Sequence, residues 1–186
     1  CNADKNAAKD LVNGRIVGWF KGRSEFGPRA LGGRSILALA KIKGIKNKIN
    51  SKIKFREKFR PFAPVTLKSF AEKFGIKKDF PYMTIASFPN KKFSEKLGES
   101  LHKDGSIRLQ TVSEKQHPLY KLLKELEKNK YAPVLINTSF NTSGEPIVES
   151  PKDAIRTFFS SGLDVLYIEN FRITKLKWQN CYDKKV

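Results

Sequence analysis

The sequence predicts a single α/β domain, spanning residues 1–186, in which helices flank a twisted, mixed β-sheet. Two observations predict this class. Short apolar segments with strand periodicity alternate with amphipathic helical segments, and no linker, repeat or low-complexity stretch interrupts them. Hydrophobic residues make up 39% of the 186 residues, which is typical of a globular chain long enough to form one core.

In the first half of the chain, apolar runs predict strands, and apolar residues spaced three and four apart predict helices. The helix over 4–13 has an alanine-rich apolar face, and Gly14 is a typical residue for its end. The next helix has one apolar stripe among lysines, formed by Ile42, Ile45, Ile49 and Ile53. The other predicted elements are strands at 15–20, 34–40, 64–67 and 83–88, a short helix at 69–74 and a charged surface loop at 90–103.

The second half shows the same alternation with clearer boundaries. Pro118 suits the first turn of a helix whose apolar face is formed by Leu119, Leu122, Leu123 and Leu126. The sequence Ser150-Pro151-Lys152-Asp153 has the N-cap, the N1 proline and the N3 acid of a helix start, and Gly162 ends that helix. The predicted strands are 107–112, 133–137, 164–168 and 171–173.

The chain is strongly basic, with 37 Lys and Arg residues against 18 Asp and Glu and a net charge of +19. Such a balance favours anionic partners, namely nucleotides, phosphorylated metabolites or nucleic acid. The stretch 41–60 alone carries seven lysines and two arginines against one glutamate. A solvated, lysine-rich surface explains such a run equally well.

Targeting signals and membrane spans are absent from the sequence pattern. No apolar run approaches the roughly 20 residues of a transmembrane helix, and the polar, alanine-rich start of the chain does not resemble a signal peptide. Cys1 and Cys181 lie at opposite ends and have no metal-ligand spacing. We therefore expect a cytoplasmic protein with no membrane partner, no disulfide framework and no metal site in this chain.

Four segments carry side chains suited to an anion site. The first, residues 21–33, follows the strand at 15–20 and is named here the Arg/Gly loop; together with Arg34 it holds four glycines and three arginines. Glycines let backbone N–H groups approach a ligand closely, and arginines bind carboxylates or phosphates through paired hydrogen bonds. The second segment, 54–64, alternates cations with aromatic residues, and its prolines hold the chain extended.

The third segment, 102–111, has a turn signal at Asp104-Gly105 and then a strand that places Arg108 and Gln110 on one face. The fourth, 137–147, has amides and hydroxyls that suit a planar amide, a carboxylate or a nucleotide edge. Each segment taken alone is also compatible with an ordinary polar loop. The sequence has no P-loop, dinucleotide fingerprint or nucleophile elbow, and the adjacency of His102 and Asp104 is not evidence of a triad.

Taken in order, these segments resemble the C-terminal domain of the NodU/CmcH-type O-carbamoyltransferases. The residues that carry the resemblance are 18–37 (Gly-Trp-Phe-Lys-Gly-Arg-Ser-Glu-Phe-Gly-Pro-Arg-Ala-Leu-Gly-Gly-Arg-Ser-Ile-Leu), 54–64, 104–112 and 137–147. The similarity extends over about 10–173 and implies a YrdC-like α/β fold. Because the chain starts at Cys1 rather than at Met, we expect a fragment from which an N-terminal, metal-binding Kae-like domain is absent.

The resemblance implies that the domain binds ATP with Mg²⁺ and carbamoyl phosphate, and that it forms a carbamoyl-adenylate. The N-terminal domain would then pass the carbamoyl group to a hydroxyl acceptor. By match to the family, the residues expected to bind phosphate and carbamoyl oxygens are Arg29, Lys54, Arg60 and Arg108. The residues expected to hold the carbamoyl amide or the nucleotide are Asn137 and Ser139, with Arg23, Arg34 and Asn141 as further nucleotide-binding candidates.

Two other functions remain open at the level of sequence. The first is a basic YrdC-like module that binds RNA or nucleotides, because cations interleaved with aromatic residues suit nucleic acid; a threonylcarbamoyl-adenylate synthase-like domain is a variant of it. The second is a non-catalytic remnant that binds only its partner domain. The charges at Arg29 and Lys54 favour the catalytic interpretation over the remnant.

Overall fold

A computed structural model describes residues 2–175, and the predictions about Cys1 and Cys181 concern residues outside this range. The strands are β1 (Val17–Phe20), β2 (Arg34–Leu39), β3 (Ala63–Leu67), β4 (Gln110–Val112), β5 (Val134–Ser139), β6 (Val165–Ile168) and β7 (Phe171–Thr174). The helices are α1 (Ala3–Val12), α2 (Ile45–Lys52), α3 (Lys68–Glu72), α4 (Lys91–Leu97), α5 (Tyr120–Lys128) and α6 (Pro151–Ser160), with a 3₁₀ turn at Gly98–Ser100. The strands form one mixed sheet flanked by helices, which confirms the predicted class.

The sheet has the strand order β4-β3-β5-β2-β1-β6-β7, with β2 at its centre. β2 is antiparallel to both neighbours, and Leu37 lies opposite Val17 of β1 and Asn137 of β5. The pairs β1–β6 and β3–β4 are parallel, which makes the sheet mixed. All residues of β2 are buried, as predicted for a strand that is covered on both faces.

The sheet separates two hydrophobic cores, because successive side chains of a strand point to opposite faces. Ile36 of β2 belongs to one core and Leu37 to the other. The core on the Leu37 face contains apolar residues of α1 and α5, including Ala7, Leu11, Leu122, Leu123 and Leu126. The core on the Ile36 face contains apolar residues of α2, α4 and α6, including Ile45, Ile49, Phe93, Leu97 and Phe158.

The prediction of a surface loop at 90–103 is wrong, because this segment contains α4 and the 3₁₀ turn. The Asn90 side chain caps α4 by accepting a hydrogen bond from Phe93 N at 2.9 Å. Phe93 and Leu97, which are four residues apart, are fully buried. A helix of seven residues presents too few apolar positions to establish a period among so many charges.

The predicted strand at 83–88 is also wrong. The segment forms a single antiparallel bridge, between Ser87 and Ile107. Met83 adopts a φ of 54°, a left-handed conformation that interrupts an extended strand. Of the large apolar residues in this segment, Met83 is buried, whereas Ile85 and Phe88 are exposed.

The remaining elements agree with the predictions, with shifts at their ends; β4, for example, begins at Gln110 rather than at residue 107. The predicted start of α6 is a capping box, in which Asp153 N donates to Ser150 Oγ at 3.2 Å and Ser150 N donates to the Asp153 carboxylate at 3.0 Å. None of the helices within residues 2–175 is long and apolar enough to cross a bilayer.

We predict that Phe93→Ala lowers the free energy of unfolding by about 3–5 kcal/mol, because it removes a fully buried ring and leaves a cavity. Urea unfolding followed by circular dichroism measures this change. Lys92→Ala, at the exposed neighbouring position of α4, should change the free energy by less than about 0.5 kcal/mol. Equal effects of the two substitutions would contradict the packing of α4 against the core.

Candidate functional site

A cavity of about 150 Å³ lies beside the last residues of β5. Its lining residues are Pro28, Arg29, Ala30, Arg56, Pro61, Phe62, Ala63, Met83, Arg108, Asn137, Thr138 and Ser139. Three arginines from three separate segments therefore converge here, and the lining formed by residues 2–175 includes no carboxylate. Positive charge that is concentrated in a concave site attracts anions.

The Arg/Gly loop owes its shape to a carboxylate inside it. Glu25 Oε1 accepts hydrogen bonds from Leu31 N at 3.0 Å and from Gly33 N. Position 33 leaves no room for a side chain, because a Cβ there would lie 2.6 Å from the carbonyl oxygen of Arg23. The glutamate and the glycine together close the loop, and this closure carries Arg29 to the cavity.

Lys54 connects the second predicted segment to the end of β5. The side chain is 5% exposed, and its Nζ donates to Ser139 O at 2.7 Å and to Ser139 Oγ at 3.2 Å. It also donates to the backbone oxygen of Asn141 at 3.0 Å and to its Oδ1 at 2.7 Å. All four acceptors are neutral. Burial, together with the nearby charge of Arg56, lowers the pKa of Lys54 to about 7.

Arg56 is a site residue that the sequence analysis missed. Its Nε donates to Asn50 Oδ1 at 2.8 Å, and its guanidinium lies 4.7 Å from the centre of the Phe62 ring. Asn50 is fully buried on α2 and also donates to the carbonyl oxygens of Lys58 and Arg60. Burial, followed by the charge of Arg60, lowers the pKa of Arg56. Its position two residues after Lys54, in the same segment, was the sequence feature that could have identified Arg56 as a site residue.

Arg29 and Arg108 bring like charges to the same cavity. Burial, together with the charge of Arg29, lowers the pKa of Arg108. Like charges held in one site repel each other, and a bound anion would relieve this repulsion. The predicted residues Arg29, Arg108, Asn137 and Ser139 thus meet at one cavity.

Two buried amides support the Arg/Gly loop from below. Asn137 Nδ2 donates to the carbonyl oxygen of Ala30 at 3.0 Å and to Gln110 Oε1 at 2.8 Å. Gln110 Nε2 donates to the carbonyl oxygen of Leu31 at 2.8 Å. Asn137 Oδ1 is buried and has no hydrogen-bond partner within residues 2–175.

The structure does not bring every predicted residue to the cavity. Arg34 is buried beneath the Arg/Gly loop, where it donates to the carbonyl oxygens of Gly22 and Gly33. Arg23 lines a separate depression. Arg60 is exposed, and its Nη1 lies 3.8 Å from Glu57 Oε2. Lys54 and Asn141 do not line the cavity either, and Lys54 Nζ donates a hydrogen bond to Asn141 Oδ1.

A serine, a histidine and an aspartate do meet in the turn before β4, but in the wrong order for a catalytic triad. Ser106 Oγ donates to Asp104 at 2.8 Å, and His102 Nδ1 lies 3.1 Å from Ser106 Oγ. In a triad the histidine stands between the other two groups and takes the serine proton. Here the serine lies between the other two groups, and its hydroxyl donates a hydrogen bond to the carboxylate.

Residues 8–175 match the sequence profile of the family described as "Carbamoyltransferase C-terminus", and the chain belongs to this family. The chain is 43% identical over 175 residues to nodulation protein NolO of Bradyrhizobium diazoefficiens, with 91% of this chain and 32% of NolO covered. It is 44% identical over 136 residues to nodulation protein U of Sinorhizobium fredii, with 72% of this chain and 24% of that protein covered. The chain therefore spans about a third or less of the length of these relatives, and the resemblance read from the motifs is confirmed.

Solved structures share the fold at low sequence identity. Full-length HypF, crystallised in the phosphate- and nucleotide-bound form, superposes with a TM-score of 0.65 at 19% identity, with 91% of this chain and 21% of HypF covered. E. coli YciO superposes with a TM-score of 0.56 at 12% identity, with 92% of this chain and 86% of YciO covered. The YrdC-like fold expected from the motifs is confirmed.

We predict that Glu25→Ala loosens the Arg/Gly loop. Hydrogen bonds to a charged group contribute about 1.5–3 kcal/mol, so the backbone amides of Leu31 and Gly33 should exchange with solvent deuterium at least about tenfold faster. Hydrogen exchange followed by NMR measures this rate. Glu72→Ala, at an exposed position of α3, is the matched control. Unchanged protection of both amides in Glu25→Ala would show that the carboxylate does not hold the loop.

Proposed function

We propose that the cavity binds ATP and carbamoyl phosphate and that the domain forms a carbamoyl-adenylate. The observation that carries this proposal is the convergence of Arg29, Arg56 and Arg108 on a cavity whose described lining has no carboxylate. Charges in a partly buried site interact more strongly with an anion because less water screens them. Membership of a carbamoyltransferase family supports the same chemistry.

In the proposed reaction, carbamoyl phosphate is first hydrolysed to carbamate and phosphate. A carbamate oxygen then attacks the α-phosphorus of ATP; the new O–P bond forms while the bond to the bridging oxygen breaks, and pyrophosphate leaves. Repulsion between the two anions opposes this step, and cations held in place by the fold offset that repulsion. The chemistry then depends on positioning and charge stabilisation rather than on a general base.

The proposed roles of the cations follow from their contacts. Arg29 and Arg108 bind phosphate oxygens, since neither has a carboxylate within salt-bridge distance in the described part of the chain. Arg56 is anchored to Asn50 through Nε and directs its other N–H groups to the ligand. Lys54 holds the turn that follows β5 and adds a charge behind Ser139.

Asn137 is the proposed contact for the carbamoyl group. The residue lines the cavity, and its Nδ2 is fixed by hydrogen bonds to the carbonyl oxygen of Ala30 and to Gln110 Oε1. Mg²⁺ would arrive on the phosphates of ATP, because the cavity lining within residues 2–175 has no carboxylate to bind it. The same residues contain no cluster of three or more His, Cys, Asp and Glu side chains that could hold a metal.

We further propose that the carbamoyl group is passed to a hydroxyl acceptor by a Kae-like, metal-binding domain that precedes this one in the whole polypeptide. The supporting observation is that the chain covers 32% of NolO and 24% of nodulation protein U. The whole protein would then be an O-carbamoyltransferase in which this domain supplies the activated carbamoyl group.

We predict that Arg29→Ala, Arg56→Ala and Arg108→Ala each weaken binding of MgATP or carbamoyl phosphate by about 2–5 kcal/mol, because each removes a charged contact to an anion. Isothermal titration calorimetry of the 186-residue chain with each ligand measures the loss. Arg156→Ala is the matched control, since this arginine is exposed on α6 and lies 3.8 Å from Asp153.

The proposal fails if the wild-type chain binds neither ligand, or if the three cavity variants bind as tightly as Arg156→Ala. Retention of RNA in a salt-dependent manner, without binding of ATP or carbamoyl phosphate, would instead favour the nucleic-acid-binding alternative.

We predict that anion binding near Lys54 takes up a proton above pH 7. Burial and Arg56 lower the pKa of Lys54 to about 7, so at about pH 8 most of the unliganded protein has a neutral amine. A bound phosphate favours the ammonium and raises this pKa, which draws a proton from solution. Titrations in buffers of different ionisation enthalpy measure the uptake. Lys54→Arg stays charged throughout and should bind without uptake; equal uptake by this variant would contradict the assignment.

A further inference from the structure

The turn between β6 and β7 carries a glutamate in a backbone conformation that favours glycine. The two strands pair through Ile168 and Phe171, so Glu169 and Asn170 form a two-residue hairpin turn. Glu169 has a φ of 50°, a left-handed conformation in which a Cβ is crowded. Residues such as glycine and asparagine are usual where a two-residue hairpin needs a positive φ. A glutamate held in this conformation calls for a contact that offsets its cost.

That contact lies at the start of the Arg/Gly loop. Glu169 Oε1 accepts a hydrogen bond from Gly22 N at 2.7 Å, and Glu169 N donates to the carbonyl oxygen of Phe20 at 2.9 Å. The hairpin turn therefore holds the chain at the point where β1 ends and the loop begins. Glu169 is an exposed residue, and this anchor joins two surface segments that are 147 residues apart in the chain.

Arg34 holds the same glycine through its other backbone polar group. Arg34 is buried, and its Nη1 donates to Gly22 O at 3.0 Å and to Gly33 O at 3.0 Å, so one guanidinium joins the two ends of the loop. Burial lowers the pKa of Arg34, and the charge of Glu169 is one of three carboxylate charges that oppose this lowering. Gly22 is thus fixed at its N–H by Glu169 and at its carbonyl by Arg34.

The start of the loop matters because Arg29 lies within the loop. Arg29 is exposed although it lines the cavity, so the backbone of the loop determines where its guanidinium lies more than the packing of its own side chain does. We propose that Glu169 is a positioning residue for phosphate binding: by anchoring Gly22 it keeps the Arg/Gly loop, and with it Arg29, at the cavity. The inference rests on the proposed function, since the phosphate is that of carbamoyl phosphate.

The test replaces Glu169 by glycine, which relieves the left-handed backbone while it removes the anchor. Lys130→Gly is the matched control, because Lys130 is also exposed and also left-handed, with a φ of 63° just after α5. We expect both variants to keep the urea midpoint of the wild type or to exceed it. Glu169→Gly should nevertheless bind carbamoyl phosphate at least about fivefold more weakly, because the apparent affinity falls with the fraction of molecules whose loop is in place. Lys130→Gly should bind within about twofold of the wild type.

A double-variant cycle shows whether the effect of the anchor passes through Arg29. In an Arg29→Ala background, Glu169→Gly should weaken binding by less than about twofold further, because the arginine that the anchor positions is already absent. A substitution that only damaged the fold would weaken binding in both backgrounds. NMR titration measures dissociation constants into the millimolar range, and low temperature limits the hydrolysis of carbamoyl phosphate.

Glu169→Asn is the second variant, and it decides the question if Glu169→Gly does not fold. Asparagine also adopts left-handed backbone readily, but its side chain is one methylene shorter and does not reach Gly22 N from the same backbone position. It should weaken the binding of carbamoyl phosphate as Glu169→Gly does, and the same cycle with Arg29→Ala applies to it.

The outcomes separate the anchor from the proposed function. Absence of wild-type binding to carbamoyl phosphate overturns the proposed function, and the role of Glu169 with it. Wild-type affinity in the folded Glu169 variants overturns the role of Glu169 and leaves the proposed function standing. A weakening that Lys130→Gly shares, or that persists in full in the Arg29→Ala background, overturns that role too. Weaker binding by the Glu169 variants, wild-type binding by Lys130→Gly and little further loss without Arg29 support the proposal.

Discussion

Lys54, Arg29, Arg56 and Arg108 bring positive charge to the end of β5, where the described residues place no carboxylate in the cavity lining. Arg29 is exposed and Arg56 and Arg108 are half-buried, whereas Lys54 is buried, and a charge buried without a counterion is unfavourable. Within residues 2–175, the hydrogen bonds of the Lys54 ammonium go to neutral oxygens of Ser139 and Asn141. The anionic ligand that we propose would supply the counter-charge that the described lining lacks.

Polar side chains bind backbone groups of the loops around the cavity. The loops fixed in this way determine where the arginines lie. Glu25 closes the Arg/Gly loop from within, and the amides of Gln110 and Asn137 hold it from below. Asn50 does the same for the segment that carries Arg56. β5 unites these supports, because it lies between β3 and β2 in the centre of the sheet and its residues contact both loops.

Elements with a long apolar period could be predicted from the sequence, whereas short elements could not. The leucines of α5 and the capping box of α6 are local signals, and the structure confirms both. α4 has only Phe93 and Leu97 to signal its buried face, and the left-handed backbone of Met83 has no local signal at all. At the site, four predicted residues converge on the cavity, but Arg56 was missed, and Gln110 was noticed only for its face of the strand.

The sequence by itself determined the fold class, the family and the segments from which the cavity residues come, because periodicity and motifs are properties of neighbouring residues. The tertiary structure decided which of the basic side chains share a cavity, that Arg34 lies beneath the loop and Arg60 at the surface, and that Asn137 holds the loop through Nδ2. These outcomes depend on contacts between residues such as Ala30 and Asn137, which are far apart in the chain and meet only when the sheet has formed.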